Sequence, residues 1–362
     1  MKIAIIHDYL NQYGGAEKVI EVLFELFPDA PIYTSIYDQA KLPPVFKSMD
    51  IRTSYMQKLP FLGKHFKKYL LLYPGAIERF DLSEYDLILS SSSAFAKGAI
   101  KRNDASHICY CYTPMRFVWE YESYIEKENF SRLESRILTS MIKKLKDWDL
   151  KTAGRVDYYV AISDYVKDKI KKSYNRDAEV IYRPVNTGDF KVSNTIEDYF
   201  LIVSRLNAYK NIDMVIRVFN ELGLNLRIIG DGPYRKILQD MAKNKNIEFL
   251  GKVDYEVLKE AYGKYRAYIF PGKEDFGITP VEAQSSGRPV IAFAQGGALE
   301  TVADGVTVLF FNENTEISLA EAVKKFLKLE DSFEKNKILE NAKRFDTEIF
   351  KTRIMNFISN NS

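Results

Sequence analysis

Cysteine, histidine and tryptophan are scarce in this chain, with two, three and two copies among 362 residues. Cys109 and Cys111 flank Tyr110 on an expected strand and point to the same face. That is poor geometry for a disulfide within one strand, so they read as reduced core residues of a cytosolic protein. A metal site would need more ligands nearby than these provide. His7, His65 and His107 are the only histidines, and no GxSxG is present, which excludes a Ser-His-Asp or Cys-His nucleophile system. GxxxxGK[ST] and GxGxxG are both missing, and the lone Gly-Asp-Gly at 230–232 is a weak signal. No run reaches the ~20 apolar residues of a spanning helix, and Met1–Ile6 is too short for a signal peptide. A formal net charge of +3 argues against a dedicated nucleic-acid binder, whose basic excess is larger and clustered.

What is present is ordinary for a soluble globular protein: 46% hydrophobic and 28% charged residues. The 24 Tyr and 23 Phe suggest a large core or aromatic-lined grooves. The length exceeds what one core supports, so two domains are expected. Apolar runs alternate with helical periodicity along both halves, predicting two doubly wound α/β domains in series. Strands are expected at Lys2–His7, Ala30–Ile36, Tyr85–Ser90, His107–Tyr112, Val156–Ile162 and Val180–Tyr182. A second alternation starts at Tyr199–Val203 and continues through Leu226–Ile229, Ile247–Leu250, Tyr268–Phe270 and Pro289–Phe293. Ser90–Ser93 reads as a polar loop, and Glu120–Lys151 as a charged helix. The polar, aperiodic stretch 187–198 is the expected linker between domains 1–186 and 199–345, with 346–362 a last helix returning to the first domain.

The most informative stretch is Phe270–Val302. It reads strand, glycine loop, helix, strand, with Glu274 and Glu282 on either side of the loop. Thr279 is expected as the helix N-cap, Pro280 at the first helical position, and Glu282 as the reciprocal glutamate of a capping box. Open parallel sheets bind ligands beyond the carboxyl ends of their strands, which is where this loop falls. Arg205 and Lys210 share another strand-to-helix turn and together can neutralise a diphosphate. Carboxylates accept from the paired hydroxyls of a ribose or hexose. Glycine turns at Gly14-Gly15 and at Gly230 and Gly232 allow close backbone approach, and the helix after Gly15 offers N–H groups to an anion. Tyr112 and Arg116, at the end of an expected strand, are candidates for the same inter-domain cleft. Residues 51–77 carry Arg52, Lys58, Lys64, Lys67 and Lys68 with many leucines and aromatics and no acidic residue. They read either as a basic amphipathic segment for an anionic membrane surface or as a core-packing helix.

These residues resemble a known family. The E-x7-E pattern from Glu274 to Glu282 is similar to the signature of retaining glycosyltransferases of family four, which have the GT-B fold. SRLNAYKN at 204–211, IGDGP at 229–233 and FLGKV at 249–253 resemble its other donor-domain motifs in order, and GGAEKV at 14–19 its N-terminal glycine loop. Within the family, EDFGITPVEAQSSGRPVIAFAQGGALETV, SSSAFAKG and YCYTPMRFVWE look closest to GDP-mannose-dependent mannosyltransferases of bacterial surface polysaccharide assembly. The resemblance implies two Rossmann-like domains facing across a cleft and transfer of a hexose, mannose from GDP-mannose, to a lipid-linked saccharide at the inner membrane face. It implies no cofactor and no required metal. Arg205 and Lys210 would hold the donor diphosphate and Glu274 the transferred hexose, with backbone N–H groups of Phe276, Gly277 and Ile278 nearby. Glu282 would bind the ribose; Gly15, Gly230, Gly232 and Lys252 would complete the donor site; Tyr112 and Arg116 would meet the acceptor. The alternatives are another donor, UDP- or dTDP-linked, or a non-catalytic nucleotide-sugar-binding assembly protein. Two positions depart from the pattern. Tyr112 stands where relatives usually have His, and a Tyr of pKa ~10 is a poor general base at neutral pH. Arg183 stands in Tyr182-Arg183-Pro184 where relatives often read Tyr-Pro-Pro.

Overall fold

The computed structural model describes residues 1–62, 66–120 and 132–362. Of the sequence-predicted features, Lys64, His65 and the first part of the 120–151 helix lie outside the described residues. The chain divides into two compact units, Met1–Pro184 with Phe350–Ser362, and Val185–Ile349.

Unit 1 is built on a parallel sheet of seven strands: β1 (Ile3–His7), β2 (Ile32–Thr34), β3 (Ile51–Thr53), β4 (Leu87–Ser92), β5 (Ser106–Cys111), β6 (Tyr158–Ala161) and β7 (Ala178–Val180). Their order is β3-β2-β1-β4-β5-β6-β7, so the winding reverses between β1 and β4. Helices cover both faces, which is why β1 is apolar along most of its length and β4 through Leu87, Ile88 and Leu89. Ile6, Ile88, Phe95, Tyr73 and Leu145 form one side of the core. The helix Gly15–Leu26 packs Val19, Ile20, Val22 and Leu23 inward, and Glu17 is buried with them. The cysteines are free and buried. From Phe350 onward the last helix, Thr347–Asn361, belongs to unit 1; Phe350 packs edge-on against Tyr110 at 5.5 Å.

Two expectations fail here. Ser90–Ser92 are not a loop but the buried end of β4. Their hydroxyls are met by neighbours no local pattern reveals: His107 Nε2 lies 2.8 Å from Ser90 Oγ, His7 Nδ1 3.0 Å from Ser91 Oγ, and Lys97 N–H donates to Ser92 Oγ. The reading of residues 51–77 as one core-packing helix fails as well. These residues hold β3, a short turn at Tyr55–Lys58, a kinked turn at Phe66–Leu72 and the helix Tyr73–Glu78. Pro60, and Phe61 at φ +54°, interrupt the periodicity.

Unit 2 repeats the architecture with six parallel strands: β8 (Phe200–Val203), β9 (Leu226–Ile229), β10 (Ile247–Gly251), β11 (Tyr268–Phe270), β12 (Val290–Phe293) and β13 (Val308–Phe311). Their order is β10-β9-β8-β11-β12-β13, and the reversal falls between β8 and β11. One face is sealed by the helix Ile212–Leu222 through Met214, Val215, Val218 and Phe219. The other packs Tyr262, Tyr265 and Tyr268 against Phe190 and Val308.

Candidate functional site

The reversal between β8 and β11 fixes where chemistry can be gathered in unit 2. Connections leave the two strands in opposite directions, so a crevice opens beyond their carboxyl ends. The turn leaving β8 carries Arg205 and Lys210, and the loop leaving β11 carries Glu274. Across that point the Lys210 ammonium pairs with Glu274 Oε1, 64 residues away in sequence. Both side chains keep a little under a fifth of their surface exposed, 19% and 18%. The ion pair therefore sits at the lip of the crevice, reachable by a ligand. Arg205 is exposed and, among the described residues, has no ion-pair partner. A bound diphosphate would supply one.

The turn holding these cations is braced by the glycine turn after β9. Gly230 adopts φ +130°, and a Cβ there would stand 1.9 Å from Ser204 O. Gly232 lies as close, with a Cβ meeting Leu206 O at 2.4 Å. Leu206 N–H donates to Asp231 O, Tyr234 N–H to Leu206 O, and Gly230 N–H to Gly251 O of β10. Gly230 and Gly232 thus act through backbone-to-backbone approach, supporting the Arg205–Lys210 turn from below. Lys252 follows β10 and is exposed.

The other half of the crevice rests on Gly296 and Gly297, which sequence reasoning did not single out. Gly296 pairs with Glu274 as an isolated bridge at φ +67°, and Gly297 N–H donates to Glu274 O at 2.9 Å. A Cβ on Gly297 would meet Phe276 Cα at 2.3 Å. The Gln-Gly-Gly triplet was the available signal, since only glycine tolerates such contacts.

The helix after the loop corrects the capping-box expectation. It runs Ile278–Ser285, with Gly277 at φ +93° in the N-cap position and no side-chain cap. Thr279 is already helical, and Glu282 is the helix's fifth residue, too deep to reach back. Gly277 at positive φ lets the helix start two residues earlier than the capping-box motif predicts, without a capping hydroxyl. Glu282 is buried at 6% exposure, and its Oε2 accepts from the Tyr262 hydroxyl at 3.0 Å. Phe276 contributes backbone only; its ring is buried against Phe345 at 5.6 Å.

In unit 1, Gly15 opens the helix Gly15–Leu26 behind an extended Gly14. Tyr112 sits directly beside that first turn, its hydroxyl donating to Ala16 O at 3.3 Å and lying 2.8 Å from Ser91 Oγ. The ring is 5% exposed, and burial pushes its hydroxyl far above the usual phenol range. Tyr112 is therefore a packed, uncharged residue. Arg116 stands apart, its Nε 3.9 Å from Glu120 on a part-exposed surface. Among the described residues no cluster of three or more His, Cys, Asp or Glu could hold a metal ion.

Two doubly wound parallel sheets in series, each with a switch point in its strand order, are the architecture of the GT-B class. Residues 13–189 match the family model described as Glycosyltransferase Family 4 and residues 189–345 that of Glycosyl transferases group 1. The chain belongs to these glycosyltransferases. It is 31% identical to the O-antigen chain mannosyltransferase RfbU of Salmonella typhimurium over 57% of this chain and 60% of that one. It is 25% identical to the alpha-1,3/1,6-mannosyltransferase ALG2 of Mus musculus over 72% of this chain and 67% of that one. The matches to the leading curated relatives span only 54–60% of those proteins. The fold is that of Anabaena HepE in complex with UDP and glucose, with a TM-score of 0.74 at 18% identity over 99% of both chains.

Proposed function

We propose that this protein transfers mannose from GDP-mannose to a lipid-linked saccharide, with retention of anomeric configuration and without a required metal. The observation that carries the reading is the Lys210–Glu274 pair at the switch point of unit 2. Arg205 and Lys210 bind the donor diphosphate, Arg205 through its fork and Lys210 as a point charge. As the glycosidic bond to the leaving phosphate lengthens, negative charge grows on the diphosphate, and these fixed cations stabilise it. Glu274 accepts from hexose hydroxyls, and the backbone N–H groups of Phe276, Gly277 and Ile278 donate to the sugar beside it. Glu282 takes the ribose. The acceptor hydroxyl attacks from the face the diphosphate leaves, and its proton passes to the departing phosphate oxygen. No strong enzyme base is needed for that course, which suits a packed Tyr112.

A donor screen by thermal shift tests this. GDP and GDP-mannose are expected to raise the melting temperature more than UDP or dTDP at equal concentration. A larger shift with UDP would move the donor to a UDP-sugar, a possibility favoured by the HepE fold match in its UDP and glucose complex. No shift with any nucleotide would sink the transferase reading.

The lipid-linked acceptor implies contact with an anionic membrane through residues 51–77. The described residues there offer an apolar tip, Phe61 at 79% exposure with Leu71 and Leu72 partly exposed, and the exposed lysines Lys58 and Lys68. Among the described residues no helix is long and apolar enough to cross a membrane. The combined Lys58→Glu and Lys68→Glu variant is expected to lose flotation with anionic vesicles. Undiminished flotation would confine the segment to packing unit 1.

A further inference from the structure

The two positions at which the sequence departs from its relatives meet in space. Arg183 stacks its guanidinium over the Tyr112 ring, Cζ to centroid 5.0 Å. Both lie beyond the carboxyl ends of unit 1 strands, Tyr112 after β5 and Arg183 after β7. The Tyr110 hydroxyl anchors the second of these segments by donating to Ile181 O at 3.1 Å, and its ring supports Tyr112 edge-on at 5.5 Å. The guanidinium is thus held in place by its neighbours.

That cation is short of partners. Its Nε and Nη2 are buried and make no hydrogen bond, and among the described residues no carboxylate forms an ion pair with it. The adjoining Thr113, 8% exposed, also has a hydroxyl with no partner. Glu17 is the carboxylate whose charge Arg183 influences, but the close partner of Glu17 is His7, with Nε2 3.9 Å from its Oε1. Burial pushes Glu17 up, and the His7 contact together with Arg183 brings it net below the usual carboxylate range. Glu17 is therefore already served. Arg183 is half-buried, and two of its guanidinium nitrogens are out of water without a hydrogen bond, a cost that an anion joining them would relieve.

We propose that Arg183, seated on Tyr112, is an anion-recognition site in unit 1, and that the acceptor saccharide of this protein bears an acidic group. The description of that anion as part of the acceptor rests on the transferase reading; the binding site itself does not. A guanidinium recognises a carboxylate or a phosphate through the same fork of N–H donors. A uronic acid residue and a phosphate-bearing saccharide are the two sources of that chemistry.

The test is a ligand-observed NMR titration of the full chain with three probes: methyl β-D-glucuronide, glycerol 1-phosphate and the neutral methyl β-D-glucoside. The parent protein is expected to bind one of the anionic probes at least on the order of tenfold tighter than the glucoside. Preference for the glucuronide assigns the carboxylate source and preference for glycerol phosphate the phosphate source. Arg183→Gln is expected to erase the preference and Arg183→Lys to keep part of it. The lysine variant decides the matter if the glutamine variant does not fold. Equal binding of charged and neutral probes by the parent overturns the proposal, as does an undiminished preference in Arg183→Gln. GDP and UDP are titrated on the same samples. If neither binds while the anion preference persists, the transferase reading fails and the anion site stands.

Discussion

Replacing Glu274 by Ala is expected to lower the transfer rate on the order of a thousandfold while leaving the fold intact. Among the described residues the Glu274 carboxylate is the one that pairs with Lys210, and in the proposed reaction it is the group that meets the hexose. Its removal costs little stability, because the ion pair is partly exposed and solvent screens what remains. The informative contrast is with nucleotide affinity. Without Glu274, Lys210 is released from its internal partner and its whole charge becomes available to a diphosphate. Binding of the nucleotide diphosphate is therefore expected to hold or tighten in Glu274→Ala and to weaken at least tenfold in Lys210→Ala, where a charge-assisted contact is lost. Calorimetric titration with the nucleotide diphosphate, beside a transfer assay, reads both signs. Weaker binding in Glu274→Ala would mean that the carboxylate serves to hold Lys210 in place rather than to meet the sugar.

Gly230→Ala is expected to be the most damaging single-methyl change in unit 2. The residue sits at φ +130°, outside the range side chains adopt readily, and the added Cβ would overlap Ser204 O at 1.9 Å. The backbone at Ser204 cannot yield without moving Arg205, since Leu206 is tied on both sides to the glycine turn through Asp231 O and Tyr234 N. Strain and displacement together cost about 3 kcal/mol or more. For a unit of this size that lowers the melting midpoint by roughly 10 °C. Nucleotide binding is expected to vanish even at temperatures where the variant stays folded, because the cationic turn is displaced from the crevice. A variant that melts lower yet binds nucleotide normally would show that the turn is set by its own sequence and not by Gly230. Circular dichroism melts and titration on one preparation separate the two effects.

The α/β architecture was legible because parallel strands buried on both faces write themselves as short apolar runs between amphipathic helices. The helix Ile212–Leu222 and the strand Leu226–Ile229 fall where periodicity places them. What escaped is what depends on partners distant in sequence or on a single torsion. Ser90–Ser92 look like a loop because polarity was read locally, whereas His7, His107 and the Lys97 backbone supply the hydrogen bonds that let serines end a buried strand. The capping box at Thr279 and Glu282 was a sound local motif overruled by Gly277, whose positive φ starts the helix earlier. Glu274 and Lys210 were each visible as candidates, but their pairing follows from the strand order. Tyr112 and Arg183 were both visible as departures; nothing short of the folded sheet could show that they touch.

The division of the chain sets the order in which its parts can be completed. Unit 2 is one continuous stretch, Val185–Ile349, but unit 1 is split, its last piece being Phe350–Ser362. During synthesis the seven-stranded sheet is made first, yet Tyr110 waits for Phe350, and Glu25 for Lys351, until the whole of unit 2 has followed. The first half thus leaves the ribosome with Tyr110 uncovered on the side that Phe350 later packs. Maturation of unit 1 is thereby coupled to complete translation of the chain, so a truncated product lacks the final piece of unit 1 whatever the state of its donor site.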